Sequence, residues 1–152
     1  MFIANEDLPY DADLQTIILN TEIAAGIEIP EARYKVWFPN FTLGDLICDD
    51  TATGLIVVGN KVDPLDIDAF AHVQLNLYKD EELIATGDSS EVLGNPLNAV
   101  LWLIKKLHSH GKQIKKGQVI SSGTFISPLK LEYGTYRAEY SGIGTVEFKV
   151  SK

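Results

Sequence analysis

Cysteine and basic residues are scarce in this sequence. The single cysteine, Cys48, excludes an internal disulfide, which is typical of a reducing compartment. No catalytic-cysteine motif surrounds it, so we expect a small buried thiol. Lysine and arginine number 13 against 21 acidic residues, and the net charge of −8 disfavours binding to nucleic acid or to an anionic membrane surface. The basic cluster of Lys112, Lys115 and Lys116 is typical of a solvated loop.

Long apolar runs are also absent. No stretch approaches the ~20 apolar residues of a membrane span, and the first residues, MFIANEDLP, lack the basic region and the apolar run of a signal peptide. We therefore expect a cytoplasmic protein without membrane or nucleic-acid partners. The length of 152 residues predicts one domain over residues 1–152, long enough to bury a core.

Hydrophobic periodicity predicts strands and a helix in the first half of the chain. Residues 1–4 predict a strand. Apolar residues at helical spacing from Asp13 to Gly26 predict a helix, with Asp11 or Asp13 as its N-cap and Gly26 as its stop. The run GLIVVG at 54–59 is typical of a strand that is buried on both faces.

The second half is dominated by hairpins around one strong helix. Alternation at 70–78 and the turn after it predict a hairpin that reaches residue 86, and a second hairpin covers 136–150. Between them, Asn95 predicts an N-cap and Gly111 a helix end. The apolar face of this helix comprises Leu97, Val100, Leu101, Ile104 and Leu107. This order of elements favours an α+β fold around a curved sheet.

Four carboxylates follow the first predicted helix: Glu28, Glu31, Asp49 and Asp50. Glu28 stands between two isoleucines, where a carboxylate is tolerated if it is exposed, paired or bound to a cation. The residues alone leave these alternatives open. The simplest interpretation is that all four are solvated loop acids and that Glu31 pairs with Arg33.

The segment SSGTFISP at 121–128 follows a predicted strand and offers hydroxyl and backbone N–H donors that suit a carboxylate. The same pattern is also typical of an ordinary turn. The three histidines do not match the ligand spacing of a zinc site and are typical of surface residues: His72, His108 and His110.

Four stretches of the chain occur in a distinctive order. They are GIEIPEARY at 26–34, the acidic stretch that runs into GLIVVG, EVLGNPLNAVLWLIKKLHSHGKQIKKGQVISSGTF at 91–125, and YSGIGTVEFKV at 140–150. Together they resemble the C-terminal catalytic part of the 2-keto-4-pentenoate hydratase and 4-oxalocrotonate decarboxylase family, which has the fumarylacetoacetate hydrolase fold. The resemblance covers almost the whole chain and implies a mixed β-sandwich or roll with flanking helices.

The resemblance implies an enzyme that hydrates or decarboxylates small 2-oxo acids with the help of Mg²⁺ or Mn²⁺. In that family three carboxylates hold the cation, two from a Glu-x-Glu motif and one from a later glutamate, which Glu28 matches. The resemblance also implies that Asp49 or Asp50 orders a water molecule. It places the substrate carboxylate on the loop residues Ser122, Gly123 and Thr124.

The chain departs from the family pattern at its start. MFIANEDLP resembles the strand after Glu-x-Glu, so that motif and an active-site lysine have no counterpart, and Glu31-Ala32 replaces the usual Asp-Ser. One alternative is a truncated hydratase or decarboxylase whose site another chain completes. The other is a degenerate member that serves as an oligomerisation partner or a 2-oxo-acid binder.

Association with another chain is a further expectation. We expect a homo-oligomer or a hetero-oligomer with a complementary subunit, because surfaces that the missing region normally covers should be bare. The edge of strand 1–4 is one expected apolar surface. The other is an aromatic segment with Tyr34, Trp37, Phe38 and Phe41.

Overall fold

The computed structural model describes residues 1–31, 33–36 and 40–152. The strands in these ranges are β1 (Phe2–Ala4), β2 (Thr21–Ile29), β3 (Leu55–Val62), β4 (Gln74–Lys79), β5 (Glu82–Asp88), β6 (Val119–Ile120), β7 (Gly134–Tyr140) and β8 (Gly144–Val150). The helices are α1 (Leu14–Leu19), α2 (Leu43–Cys48) and α3 (Pro96–His108). The strands form two four-stranded antiparallel sheets with the orders β3-β2-β1-β6 and β5-β4-β7-β8. The predicted α+β class is confirmed.

Helix α3 forms as the sequence predicts. The side-chain oxygen of Asn95 accepts a hydrogen bond of 2.9 Å from the backbone N–H of Leu97, and Pro96 occupies the first helical position. Leu97, Val100 and Ile104 are buried. They join a hydrophobic cluster whose other large members are Phe2, Leu8, Ile17, Ile23, Phe70, Ile114 and Ile120.

The two predicted hairpins are also confirmed. They are β4–β5 and β7–β8, and they form the second sheet because β4 and β7 pair with each other. The inward-facing residues of this sheet pack against Ala25 of β2 in a second hydrophobic cluster, with Leu75, Leu77, Ala138 and Val146. The sheets therefore face each other as the layers of a sandwich.

The helix predicted from Asp13 to Gly26 is wrong in its second half. Asp13 caps α1, since its side-chain oxygen accepts a 2.7 Å hydrogen bond from the N–H of Thr16. The helix ends at Leu19, and the chain enters the nine-residue strand β2. Two alanines at helical spacing suggested a longer helix. Pairing of β2 with both β1 and β3 overrides this weak preference.

Three expectations about burial are also wrong. Strand β3 is not buried on both faces, because Leu55 is 70% exposed and Ile56 is 49% exposed. Strand β1 is not an exposed edge: it lies between β2 and β6, and all of its residues are buried. Cys48 is exposed rather than buried.

The predicted aromatic segment is only partly covered by the structure. Trp37 and Phe38 lie outside the described residues, as does Ala32. Tyr34 and Phe41 stack on each other with their ring centroids 4.3 Å apart. Within the described ranges, no helix is long and apolar enough to cross a membrane.

Candidate active site

Glu28 lies near the end of β2, opposite Ile56 of β3. Its neighbours Ile27 and Ile29 are half-buried, and the Glu28 side chain is exposed because successive residues of a strand point to opposite faces. The pairing register of β2 with β3 shifts between Ala24 and Gly26, which marks a β-bulge just before Glu28. In the described part of the chain, the Glu28 carboxylate forms no ion pair or hydrogen bond, so its charge is tolerated by exposure.

Two polar groups lie within electrostatic range of Glu28. The hydroxyl of Tyr140 donates a 2.7 Å hydrogen bond to the carbonyl oxygen of Gly26, and the Met1 ammonium donates a 3.0 Å bond to that of Ala24. Burial, assisted by the negative charge of Glu28, raises the pKa of Tyr140 to about 12. Burial lowers the pKa of the Met1 ammonium to about 6, against the opposing effect of Glu28.

The predicted substrate loop lies beside this group. Ser122 lines a pocket together with Met1, Tyr140 and Phe125. Gly123 has a φ of 126° and lies against the side chain of Val92. The hydroxyl of Thr124 donates a 2.8 Å bond to the carbonyl of Ile126 and accepts a 3.3 Å bond from its N–H, so it stabilises the loop itself.

The pocket beside Ser122 is small, with a volume of about 30 Å³. This is room for about one water molecule, whereas pockets for small ligands usually occupy several hundred Å³. Most of its lining is apolar. The lining residues besides Ser122, Met1, Tyr140 and Phe125 are Phe2, Ile23, Ala24, Phe70, Val73, Pro96 and Ile143.

Asp49 lies in a separate cluster around Arg33, and Asp50 lies in the turn that follows it. The Arg33 guanidinium bonds to a carboxylate oxygen of Asp49 and to its carbonyl, both at 3.2 Å. It also donates to the carbonyl of Thr53 at 2.5 Å and to the Glu31 carboxylate at 3.3 Å. The predicted pair of Glu31 and Arg33 therefore forms. These acids, Asp49 foremost, raise the pKa of Arg33.

The turn after Asp49 has an unusual backbone. Asp50, Thr51 and Ala52 have φ angles of 57°, 56° and 57°, which non-glycine residues rarely adopt. A 2.9 Å bond from the N–H of Glu31 to the carbonyl of Ala52 ties this turn to the end of β2. Oδ2 of Asp49 is buried without a hydrogen-bond partner in the described residues. Strained backbone of this kind is often found near functional sites.

The structure thus arranges the predicted residues in two groups. Glu28 and Ser122 are connected through Tyr140 and Met1, while Asp49 belongs to the Arg33 cluster and Asp50 to the turn that follows it. The sequence did not predict that Tyr140 bonds to Gly26 and lines the pocket, because an aromatic residue in an alternating strand is typical of core packing. The spacing of Arg33 and Asp49, 16 positions apart, likewise gives no local signal.

The described residues supply few ligands for a divalent metal ion. No three histidine, cysteine, aspartate or glutamate side chains in those ranges are grouped closely enough to hold one. Hard cations bind several oxygen ligands, and Glu28 alone supplies a carboxylate at the expected position. The described residues therefore do not form a complete metal site by themselves.

Comparison with known proteins gives the ancestry of the chain. No protein-family model matches it. The 2-keto-4-pentenoate hydratase of Paraburkholderia phymatum is 31% identical over 130 residues, which is 84% of this chain and 48% of the relative. The Burkholderia vietnamiensis enzyme of that name is 32% identical over 80% of this chain and 46% of its own length. The 2-oxo-hept-4-ene-1,7-dioate hydratase of Escherichia coli is 31% identical over 67% of this chain and 39% of its own.

Solved structures give the fold. The 4-oxalocrotonate decarboxylase of Pseudomonas putida G7, complexed with calcium and acetate, has a TM-score of 0.79 at 20% identity and matches 96% of this chain and 56% of that one. The same enzyme complexed with magnesium and adipate has a TM-score of 0.77. The chain spans about half the length of the curated relatives it matches. Over that span, the chain is a sequence relative of the 2-keto-4-pentenoate hydratases and has the fold of 4-oxalocrotonate decarboxylase.

Proposed function

We propose that this chain is the part of a hydratase or decarboxylase that binds a small 2-oxo acid, and that Glu28 contributes one ligand to a Mg²⁺ or Mn²⁺ site. The observation that carries the proposal is the 31% identity to a 2-keto-4-pentenoate hydratase over 84% of the chain. The calcium and magnesium complexes of the structural neighbour support the choice of a divalent ion. The remaining ligands would come from outside the described residues.

In this proposal the acid binds in the pocket beside Ser122. The Ser122 hydroxyl and the N–H groups of Gly123 and Thr124 would donate hydrogen bonds to its carboxylate. Phe2 and Ile143 line the same pocket and would contact the carbon chain. Because the pocket has a volume of only about 30 Å³, it must widen when a 2-oxo acid enters.

Asp49 and Asp50 differ in their contacts with Arg33. Asp49 is held in an ion pair with Arg33 at 3.2 Å through Oδ1, and its other oxygen, Oδ2, is buried, so its carboxylate is less accessible to a water molecule. Asp50 forms no ion pair in the described residues. In this proposal Asp50 is therefore the better candidate for ordering the water of a hydration, with Asp49 fixing the turn beside it.

A second candidate function is binding without catalysis, as an oligomerisation partner or a 2-oxo-acid binder. One observation favours it: no group of three metal-ligating side chains occurs in the described ranges. Under either function we expect a homo-oligomer or a hetero-oligomer with a complementary subunit, located in the cytoplasm.

Paramagnetic line broadening tests the ligand assignment. Mn²⁺ is titrated into the ¹⁵N-labelled chain, with and without oxalate as a probe, and the amide signals are followed by NMR. We expect binding no tighter than about millimolar, because one carboxylate is a weak site for a hard cation. Broadening should be strongest at residues 27–29 and should disappear in Glu28→Gln.

The control is Glu22→Gln on the same strand. This variant also removes one carboxylate from β2, one that is paired with Lys61 at 2.9 Å.

Since Glu28 is exposed and unpaired in the described structure, Glu28→Gln should change the free energy of unfolding by less than about 0.5 kcal/mol. Broadening that survives in Glu28→Gln would contradict the assignment. A micromolar site centred on Asp49 and Asp50 would replace it.

A further inference from the structure

We infer that Tyr140 is a positioning residue that connects the two parts of the proposed site, the strand that carries Glu28 and the loop that carries Ser122. The inference rests on the proposed function. Tyr140 is the last residue of β7 in the opposite sheet, so it reaches both parts from a third element. Two separate contacts of this side chain support the inference.

The first contact fixes the strand. The Tyr140 hydroxyl donates its 2.7 Å hydrogen bond to the carbonyl of Gly26, directly after the register shift that follows Ala24. A bulge bends its strand and changes the direction of the side chains that follow. Glu28 lies two residues beyond the bonded carbonyl. The direction in which Glu28 points therefore depends on the phenol that holds the strand there.

The second contact fixes the loop. The ring of Tyr140 meets the ring of Phe125 edge to face, with centroids 5.6 Å apart and an interplanar angle of 75°. This is a favourable geometry for two aromatic rings. Phe125 and Ser122 belong to the same loop and line the same pocket as Tyr140. Movement of the Tyr140 ring would therefore shift the donors proposed for the substrate carboxylate.

The phenol of Tyr140 is protonated, as this role needs. An unperturbed tyrosine has a pKa of about 10, so its hydroxyl is a hydrogen-bond donor over the whole physiological range. Burial and the negative charge of Glu28 raise the pKa of Tyr140 further, to about 12. A deprotonated phenol would lose this bond.

The chain offers a matched control on the same strand. The hydroxyl of Tyr136 accepts a 2.9 Å hydrogen bond from the backbone N–H of Glu132, and its ring stacks on Phe148 with centroids 5.2 Å apart. Tyr136→Phe thus removes one phenol–backbone bond from β7 at the end away from the pocket. A purely structural role predicts similar effects of Tyr136→Phe and Tyr140→Phe.

The test compares both variants with the wild type by NMR. Without ligand, Tyr140→Phe should shift the amide signals of residues 26–28 and also those of 122–125, whereas Tyr136→Phe should shift neither set. Oxalate is then titrated in buffer containing Mg²⁺. Tyr140→Phe should weaken oxalate binding roughly fivefold, the factor that one hydrogen bond typically contributes. Tyr136→Phe should leave it unchanged, although both variants melt at similarly lowered temperatures.

The possible outcomes separate this inference from the proposed function. Equal oxalate affinity in the wild type and Tyr140→Phe overturns the inference and leaves the proposed function intact. A response confined to 26–28 also overturns it, because the loop is then not linked to the strand. If oxalate shifts no signals in the wild-type loop, the proposed site itself fails and Tyr140 has a structural role only. If Tyr140→Phe does not fold, oxalate binding to the wild type must shift the ring signals of Tyr140 together with the amide signals of 26–28, and ring signals that stay unchanged overturn the inference.

Discussion

Replacing Gly87 with alanine tests where the loop around Phe125 lies. Gly87 is in β5, and a Cβ placed on it would lie 2.3 Å from the carbonyl oxygen of Phe125 and 2.8 Å from Cγ2 of Ile126. Carbon and oxygen atoms without a bond between them normally stay about 3.3 Å apart. Either the loop or β5 must therefore move by roughly 1 Å, the difference between these two distances.

The cost of this movement can be bounded. Overpacking a well-packed region usually costs about 1–3 kcal/mol, and here the obstacle is a backbone carbonyl that cannot rotate away as a side chain would. The same shift would disturb the edge contact between Phe125 and Tyr140. We expect Gly87→Ala to lower the urea midpoint of unfolding by roughly 0.5–2 M, measured by circular dichroism at equilibrium.

Gly44→Ala is the matched control. Gly44 is in α2, and a Cβ there would meet only the hydroxyl oxygen of Thr42, at an ordinary 3.5 Å. Because alanine favours a helix over glycine by about 1 kcal/mol, this variant should raise the midpoint. If Gly87→Ala unfolds at the same urea concentration as the wild type, the loop does not pack on β5 and the geometry of the proposed pocket is refuted.

Two further predictions concern the core and the surface. Leu97 is fully buried in α3, so Leu97→Ala should lower the free energy of unfolding by about 2–5 kcal/mol in the same urea assay. A loss below about 1 kcal/mol would mean that α3 does not pack on the hydrophobic cluster that contains Phe2 and Ile17. Hydrogen bonds from the Lys115 side chain and the Lys116 backbone N–H lower the pKa of Asp7 below its usual 3.8. Asp7 therefore stabilises the folded state above its unfolded pKa, and this stabilisation is lost as the pH falls through the lower folded pKa. The difference in free energy of unfolding between wild type and Asp7→Asn should persist at pH 6 and disappear on acidification below pH 4. A difference that does not change with pH would contradict the ion pair.

Some parts of the fold follow directly from local sequence. Helix α3 was predictable because the Asn95 cap, the Pro96 start and the apolar stripe all indicate the same element. The β4–β5 hairpin was predictable because alternation of Leu75 and Leu77 with polar residues matches its burial. In each case a residue and its determining partner lie within one element or one turn.

Other parts depend on contacts between distant residues. The assignment of Ala25 to a strand depends on the pairing of its neighbours Ala24 and Gly26 with β3 and on packing against β4 and β7, which the local pattern does not contain. The roles of Glu28 and Ser122 stay predictions, and the structure adds their surroundings. Ser122 borders a small pocket, and the bulge before Glu28 follows from the pairing of β2 with β3, which the local sequence does not contain. The left-handed turn at 50–52 contains neither glycine nor asparagine, and Asp50 is its only residue of a type that is enriched in this conformation.

The Arg33 cluster makes the turn at 50–52 sensitive to dissolved salt. Its ion pairs with Glu31 and Asp49 join atoms 3.3 and 3.2 Å apart, so they are screened only at ionic strengths near 1 M, where the Debye length falls to about 3 Å. The two sheets are held mainly by apolar contacts and backbone bonds, which salt affects little. Rising ionic strength should therefore loosen the backbone beside Asp50 while the rest of the protein keeps its order. The concentration of ions around the protein would thus control how firmly this segment is held against the end of β2.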